Sequence, residues 1–128
     1  MCKPGRVADP IESLSAVTLA TSDMAVAVRF YEAVGFHRIA GGPTAAFTTF
    51  RVGASFLNLQ LDPAHPPVAH VWGRAIFWVE NVDECYTRAR TAGYAPASPP
   101  ADAPWGERYF HIRDPDGHEL SFARPLDT

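Results

Sequence analysis

Residues 15–36 read SAVTLATSDMAVAVRFYEAVGF, and residues 73–94 read GRAIFWVENVDECYTRARTAGY. Displaced by 58 positions, the two stretches superpose as a short strand, a polar cap, an amphipathic helix and a Gly-aromatic pair. Asp23 matches Asn81 as N-cap, Gly35 matches Gly93 as helix stop, and Phe36 matches Tyr94. A capping side chain accepts from a backbone N–H of the first turn, and glycine supplies the left-handed residue that ends a helix. Asn81-x-x-Glu84 also has capping-box spacing. Self-similarity at a fixed interval decides the fold before any single motif does.

Each half continues in strands. His37–Ala40 is brief and stops at Gly41-Gly42-Pro43, Ala46–Val52 is apolar and β-branched, and Gly53 turns it into Ser55–Leu61. In the second half a weak strand is expected near Tyr94-Ala95-Pro96, then a Pro-rich loop over 96–104. Tyr109–Arg113 and Glu119–Ala123 follow as strands, joined by the turn Asp114-Pro115-Asp116-Gly117. The expected class is α+β: two βαβββ modules forming a curved, mainly antiparallel sheet with helices on its outer face. A single domain is expected over 12–126, with module one at 12–62, a Pro-rich linker at 62–70 and module two at 71–125. A half of that size buries only about 60% of its unfolded surface, so the halves share one structure. The sheet face without helices is where function is to be sought.

Composition sets outer limits. The 128 residues carry 11 Lys+Arg against 14 Asp+Glu, a net charge of −3, and no basic stripe of the kind nucleic-acid binding requires. Hydrophobic residues make up 47%, which excludes a disordered chain. No apolar run approaches the ~18 residues of a membrane span, and the first six residues lack an apolar signal core, so a cytoplasmic location is expected. Two cysteines make neither a disulfide scaffold nor a zinc site. Cys2 falls in an N-terminal end expected to fray. Cys85 shares a helical stripe with Val82, Ala89 and Ala92, and reads as a small buried hydrophobe.

Alternation along the strands assigns faces. Val17, Leu19, Leu57, Leu59, Ala75, Phe77, Val79, Phe110, Ile112, Leu120 and Phe122 point to the helices. Pointing away are Ala16, Thr18, Ala20, Phe47, Thr49, Asn58 and Gln60 in the first half. Arg74, Ile76, Trp78, Tyr109, His111, Arg113, Ser121 and Ala123 do so in the second. Aromatic walls with a few polar groups are pocket chemistry. His37 and His118 read as solvated turn residues, and His65 and His70 flank the linker at a spacing unsuited to a shared metal. Glu107, Tyr109 and His111 form the one trio able to serve metal-free acid–base work.

Three stretches carry a resemblance. Ser22-Asp23-Met24 leading to Phe30-Tyr31-Glu32 and Gly35-Phe36, the duplication itself, and Arg113-Asp114-Pro115-Asp116-Gly117-His118 are similar to the vicinal oxygen chelate superfamily. That superfamily groups glyoxalases, extradiol dioxygenases, fosfomycin-resistance enzymes and bleomycin-resistance proteins. Trp78-Val79-x-x-Val82-Asp83-Glu84-x-Tyr86 and Pro104-Trp105-Gly106-x-Arg108-x-Phe110 resemble its bleomycin-resistance-type binding proteins most. That resemblance implies a homodimer that sequesters a planar ligand, antibiotics included, without metal or turnover; composition leaves no nucleic-acid or membrane partner and a cytoplasmic location expected. Trp105 takes the stacking position by motif match. Trp78, Tyr109, Phe47, Thr49, Arg74, Arg113, Asn58, Gln60, Ser121 and His111 complete the expected ligand site. Carried onto this chain, the superfamily's four metal-ligand positions are Ala16, Asn58 (or, one residue earlier, Leu57), Arg74 and Ser121. Alanine cannot ligate, arginine is a fixed cation, and serine and asparagine are poor ligands for such an ion. No cofactor is therefore expected and an enzyme is disfavoured. The alternative is a glyoxalase-like lyase or a related enzyme, metal-free or with one divalent metal at a non-standard site.

Overall fold

The computed structural model describes residues 9–127, so what was expected of Cys2 and the first residues lies outside the described residues. β1 (Ala16–Thr21), α1 (Met24–Val34), β2 (His37–Ala40), β3 (Phe47–Val52) and β4 (Ser55–Leu61) form module one. β5 (Arg74–Trp78), α2 (Val82–Thr91), β6 (Ala101–Asp102), β7 (Glu107–Arg113) and β8 (Glu119–Pro125) form module two.

The repeat is visible in its punctuation. The Asp23 carboxylate accepts from the Val26 amide at 3.2 Å, and the Asn81 side chain accepts from the Glu84 amide at 3.0 Å. Gly35 and Gly93 take φ of 119° and 96°. Just beyond them, the Phe36 amide reaches the Tyr31 carbonyl at 2.9 Å and the Tyr94 amide reaches the Ala89 carbonyl at 3.0 Å. Both helices thus end on the same left-handed turn, which satisfies carbonyls left open by the last turn.

The strands form two four-stranded sheets, ordered β1-β4-β3-β2 and β5-β8-β7-β6. The expected α+β class with two βαβββ modules stands, each module carrying its own sheet; among the described residues no strand of one sheet pairs with the other. β1 pairs with β4 and β5 with β8 in parallel, while the remaining pairs are antiparallel. A parallel neighbour is what a crossover helix returning the chain to its own sheet produces. The strand expected at 94–96 is absent. The short edge strand is instead Ala101–Asp102, inside the stretch read as a loop, paired with Tyr109 and Arg108. Pro96, Pro99 and Pro100 have no amide to donate to a ladder; the Ala97 amide meets the His111 carbonyl at 3.4 Å, and the paired strand itself forms only after the prolines.

One apolar core joins both modules. Phe30, Tyr31, Phe50, Leu57 and Leu59 from the first pack in the same cluster as Phe77, Phe110, Ile112, Leu120 and Phe122 from the second. Phe36 bridges them edge-on, with ring centroids 5.0 Å from Phe77 and 6.0 Å from Phe50 and Phe122. Cys85 is buried with Val82 and Ala89 as expected, but Ala92 is the exposed cap of α2. Burial raises the Cys85 thiol pKa to about 11, so it behaves as a hydrophobe.

A polar joint sits beside this core. The Asp114 carboxylate is buried and accepts from the Tyr31 hydroxyl at 2.6 Å and from the amides of Asp116 and His118 at 3.0 and 2.9 Å. Asp116 accepts from the Ser22 amide and hydroxyl at 2.9 and 3.2 Å. His118 is buried, not solvated as expected, because both ring nitrogens are used. Nδ1 accepts from the Trp72 indole N–H at 3.1 Å, and Nε2 lies 2.9 Å from the Ala20 carbonyl. Those two partners assign the neutral tautomer with its proton on Nε2. Gly117, at φ 94°, runs so close to the Val68 carbonyl that a Cβ would collide with it. The linker is pinned there by the Val68 amide on the Asp116 carbonyl at 2.8 Å.

Two substitutions test this arrangement. Phe77→Ala removes a ring at the module junction and is expected to cost ~3–5 kcal/mol in denaturant unfolding; a loss below ~1 kcal/mol would invert the face assignment. Tyr31→Phe keeps the packing but leaves a buried carboxylate oxygen of Asp114 without its donor, and is expected to cost ~1–3 kcal/mol. A neutral Tyr31→Phe would show that the joint holds nothing together.

Candidate functional site

The expected site residues fall on two sheets. On the helix-free face of β1, β4 and β3 the cross-strand rows are Ala20–Gln60–Phe47, Thr18–Asn58–Thr49 and Ala16–Phe56–Arg51. The middle row is tied within itself: the Thr49 hydroxyl donates to Asn58 Oδ1 at 2.8 Å, and Asn58 Nδ2 donates to Thr18 Oγ1 at 3.2 Å. Phe47 stands 46% exposed at the edge of this face. Phe47, Thr49, Asn58 and Gln60 therefore lie on one sheet, and all other expected contacts lie on or beside the other.

On β5, β8 and β7 the rows are Trp78–Ala123–Tyr109, Ile76–Ser121–His111 and Arg74–Glu119–Arg113. Ala123 and Ser121 are buried, so small residues floor a trough between taller walls. Two strand spacings, ~10 Å, separate the backbones carrying Trp78 and Tyr109. Along the β7 wall the rings form a ladder: Trp105 to Tyr109 at 5.7 Å and 31°, then Tyr109 to His111 at 5.1 Å and 49°. Trp105 is 67% exposed, its N–H donating to Glu107 at 3.0 Å. Glu107, Tyr109 and His111 thus share one edge of the trough, and Glu107 is already engaged by the indole.

The third row holds charge. Arg74 is bound by Glu119, with Nε 2.6 Å and Nη2 2.5 Å from one carboxylate oxygen. Glu119 was missed from the sequence, although alternation from Ser121 places it on this face. Arg113 reaches only the Val68 carbonyl, at 3.4 Å. Burial, and secondarily the Arg74 charge, lower the His111 pKa below its usual 6.5, with Glu119 opposing. Its Nδ1 is buried without a partner.

Arg108 is a second residue whose role only the structure discloses. It grips the Asp83 carboxylate with two nitrogens at 2.9 and 2.8 Å and reaches Asp102 at 3.0 Å. That grip holds the Asp83 pKa below its usual value. Together with the Ala103 amide on the Glu107 carbonyl at 2.7 Å and the Leu126 amide on the Gly106 carbonyl at 2.8 Å, it ties the Trp105 loop to α2 and β8.

A chelating site does not fit the four superfamily positions. Ala16 has no donor atom, Asn58 Oδ1 already accepts from Thr49, Ser121 lies on the trough floor, and Arg74 brings a cation paired to Glu119. A divalent ion there would face a guanidinium where it needs a ligand. Among the described residues no group of three or more His, Cys, Asp or Glu side chains is placed to hold one, and no helix is long and apolar enough to cross a membrane.

Comparison with solved structures places this arrangement. TioX from Micromonospora sp. ML1 matches with 29% identity and a TM-score of 0.72, over 90% of this chain and 100% of that one. A bleomycin resistance determinant encoded on the transposon Tn5 matches with 21% identity and a TM-score of 0.71, over 89% and 98%. A glyoxalase/dioxygenase from Nostoc punctiforme matches with 17% identity and a TM-score of 0.78, over 98% and 100%. The last two likenesses are of fold alone. Comparison with curated proteins yields no match. The family model described as Glyoxalase/Bleomycin resistance protein/Dioxygenase superfamily matches residues 13–122, and with its duplicated βαβββ modules the chain belongs to that superfamily.

Proposed function

We propose that this chain is a metal-free binding protein that sequesters a planar small molecule, such as an antibiotic, as a homodimer. The observation that carries the reading is Trp105: an exposed indole on an anchored loop, continuing the ring ladder of Tyr109 and His111, with Tyr109 set across Ala123 from Trp78. A core anchor would be buried, whereas an indole at a trough edge offers its face to a flat ligand. Arg74, Arg113, Ser121 and His111 orient the ligand's polar parts. With two arginines against Glu119 in the charged row, a neutral or anionic ligand suits the trough better than a strongly cationic drug.

Dimerisation follows from what one chain leaves open. Phe47, Ile76 and Trp78 are 46%, 59% and 69% exposed on the helix-free faces, more apolar surface than isolated scatter accounts for. In the proposed assembly a two-fold partner covers these faces, so that Phe47, Thr49, Asn58 and Gln60 wall a pocket opposite the trough of another copy. Bleomycin-resistance likeness at the level of fold is consistent with this arrangement.

Sedimentation at micromolar concentration is expected to give a dimer; a monomer would remove the second wall of the pocket. For the ligand contact, a thermal-shift screen of planar antibiotics supplies the titrant, and calorimetry compares wild type with Trp105→Ala. The variant is expected to bind at least about tenfold more weakly, ~1.4 kcal/mol, with its melting temperature little changed. Unchanged affinity with a large fall in melting temperature would make Trp105 a structural residue and overturn the reading.

A further inference from the structure

The trough is polarised along its length. Glu107, Tyr109, His111 and Arg113 follow one another on the same face of β7, so Glu107 and Arg113 stand ~20 Å apart. At one end Glu107 brings a carboxylate. At the other, Arg74, Glu119 and Arg113 form one cross-strand row, in which Glu119 is held by Arg74. Among the described residues Arg113 has no carboxylate partner, and it reaches only the Val68 carbonyl, at 3.4 Å. Two guanidiniums against one carboxylate leave the row with a net positive charge, and the Arg113 guanidinium is the one left to meet a ligand.

Between the ends, the polar groups of the trough are donors. His111 Nδ1 is buried without a partner. A neutral imidazole carries one N–H, and a buried N–H without an acceptor is the rarer orphan in folded proteins. This assigns the proton to Nε2, the ring nitrogen farther from the backbone. A charged ring would donate from Nε2 as well. The Ser121 hydroxyl stands beside His111 in the same cross-strand row and also has a proton to give. An acceptor with a full negative charge satisfies such donors best, whereas an ammonium group on a ligand would meet the Arg113 charge. A carboxylate turned the other way would meet Glu107.

We propose that the trough selects a planar aromatic acid, with its rings stacked on Trp105 and Tyr109 and its carboxylate turned toward Arg113, where His111 and Ser121 donate to it. The proposal rests on the planar-ligand reading and narrows it from any flat molecule to one with an anionic group on a defined side. Arg113 lies two rows, ~13 Å, from Tyr109 along β7, so a two-ring acid and an extended arginine side chain together span the gap. Arg113 and His111 thereby set which ligand is chosen, and the stacking rings set how tightly its flat part is held.

Biphenyl-4-carboxylate and its neutral counterpart biphenyl-4-carboxamide, titrated into the full chain by calorimetry, test it, because they share their rings and differ in charge. The acid is expected to bind at least about tenfold more tightly than the amide. Arg113→Gln, at an exposed position, is expected to bring the ratio of the two affinities to within about twofold of unity. His111→Leu is expected to weaken the acid at least about fivefold, and His111→Gln, which returns an N–H near the place of Nε2, to recover most of that loss. Equal binding of acid and amide, both weakened by Trp105→Ala, overturns the proposal and leaves the planar-ligand reading standing. A preference for the acid that survives Arg113→Gln overturns it as well. So does failure of both probes to bind, in which case the antibiotic screen still tests the planar-ligand reading separately.

Discussion

Asp114 is a carboxylate buried between two half-domains, and the arrangement of the chain follows from the need to satisfy it. A buried carboxylate without donors costs more than a small domain can spare. Here its donors come from the Tyr31 hydroxyl in α1 and from the amides of its own turn. Satisfying the charge therefore docks module two onto module one. The neighbouring Asp116 and His118 extend the joint to Ser22 and Ala20, at the end of β1 and the turn into α1. Burial raises the pKa of Asp114 while the Tyr31 hydroxyl and the amides pull it down. Because the net shift is upward, the ionised form costs some stability at neutral pH, and acidification toward its ordinary range relieves that cost. The two sequence stretches that signal the superfamily, around Tyr31 and around Asp114, are thus the two sides of one contact.

Duplication shared out the architecture but not the surface chemistry. The two helices use the same kind of cap and the same left-handed stop, and each sheet has one parallel and two antiparallel pairings in the same order. On the helix-free faces the modules diverge. Module one spends its polar groups on each other, through Thr49, Asn58 and Thr18. Module two sets aromatic rings and a charged row around a floor of small residues. Under the planar-ligand reading proposed above, a ligand gains more from the second face, because it offers a larger stacking area.

The same logic bears on the positions that a chelated metal would need. A metal site needs several convergent donors with their lone pairs free. At the corresponding positions one donor is missing, one is bonded to a neighbouring hydroxyl, and one position carries a cation held by Glu119.

Local interactions were legible in the amino-acid order because they are set within a few residues. Asp23 and Asn81 cap helices, Gly35 and Gly93 stop them, and alternation assigned Leu57, Phe77, Phe110 and Phe122 to the core and Thr49, Asn58, Tyr109 and His111 to the other face. The misses all involve partners distant in sequence. His118 looked solvated because Trp72 and Ala20, which use its two nitrogens, lie 46 and 98 residues away. Arg108 stood only in a motif and Glu119 only at a strand start, because Asp83 and Arg74 become their partners only when the strands are assembled. The strand placed at Tyr94–Pro96 moved to Ala101–Asp102, where an amide free of proline could meet β7. Sequence alone determined the duplicated modules, their caps and the two faces of each strand, since backbone geometry repeats every two or 3.6 residues whatever the surroundings. Only the tertiary structure decided that the strands divide into two sheets and that the expected contacts split between them, because each depends on which side chains the closed chain brings to the same place.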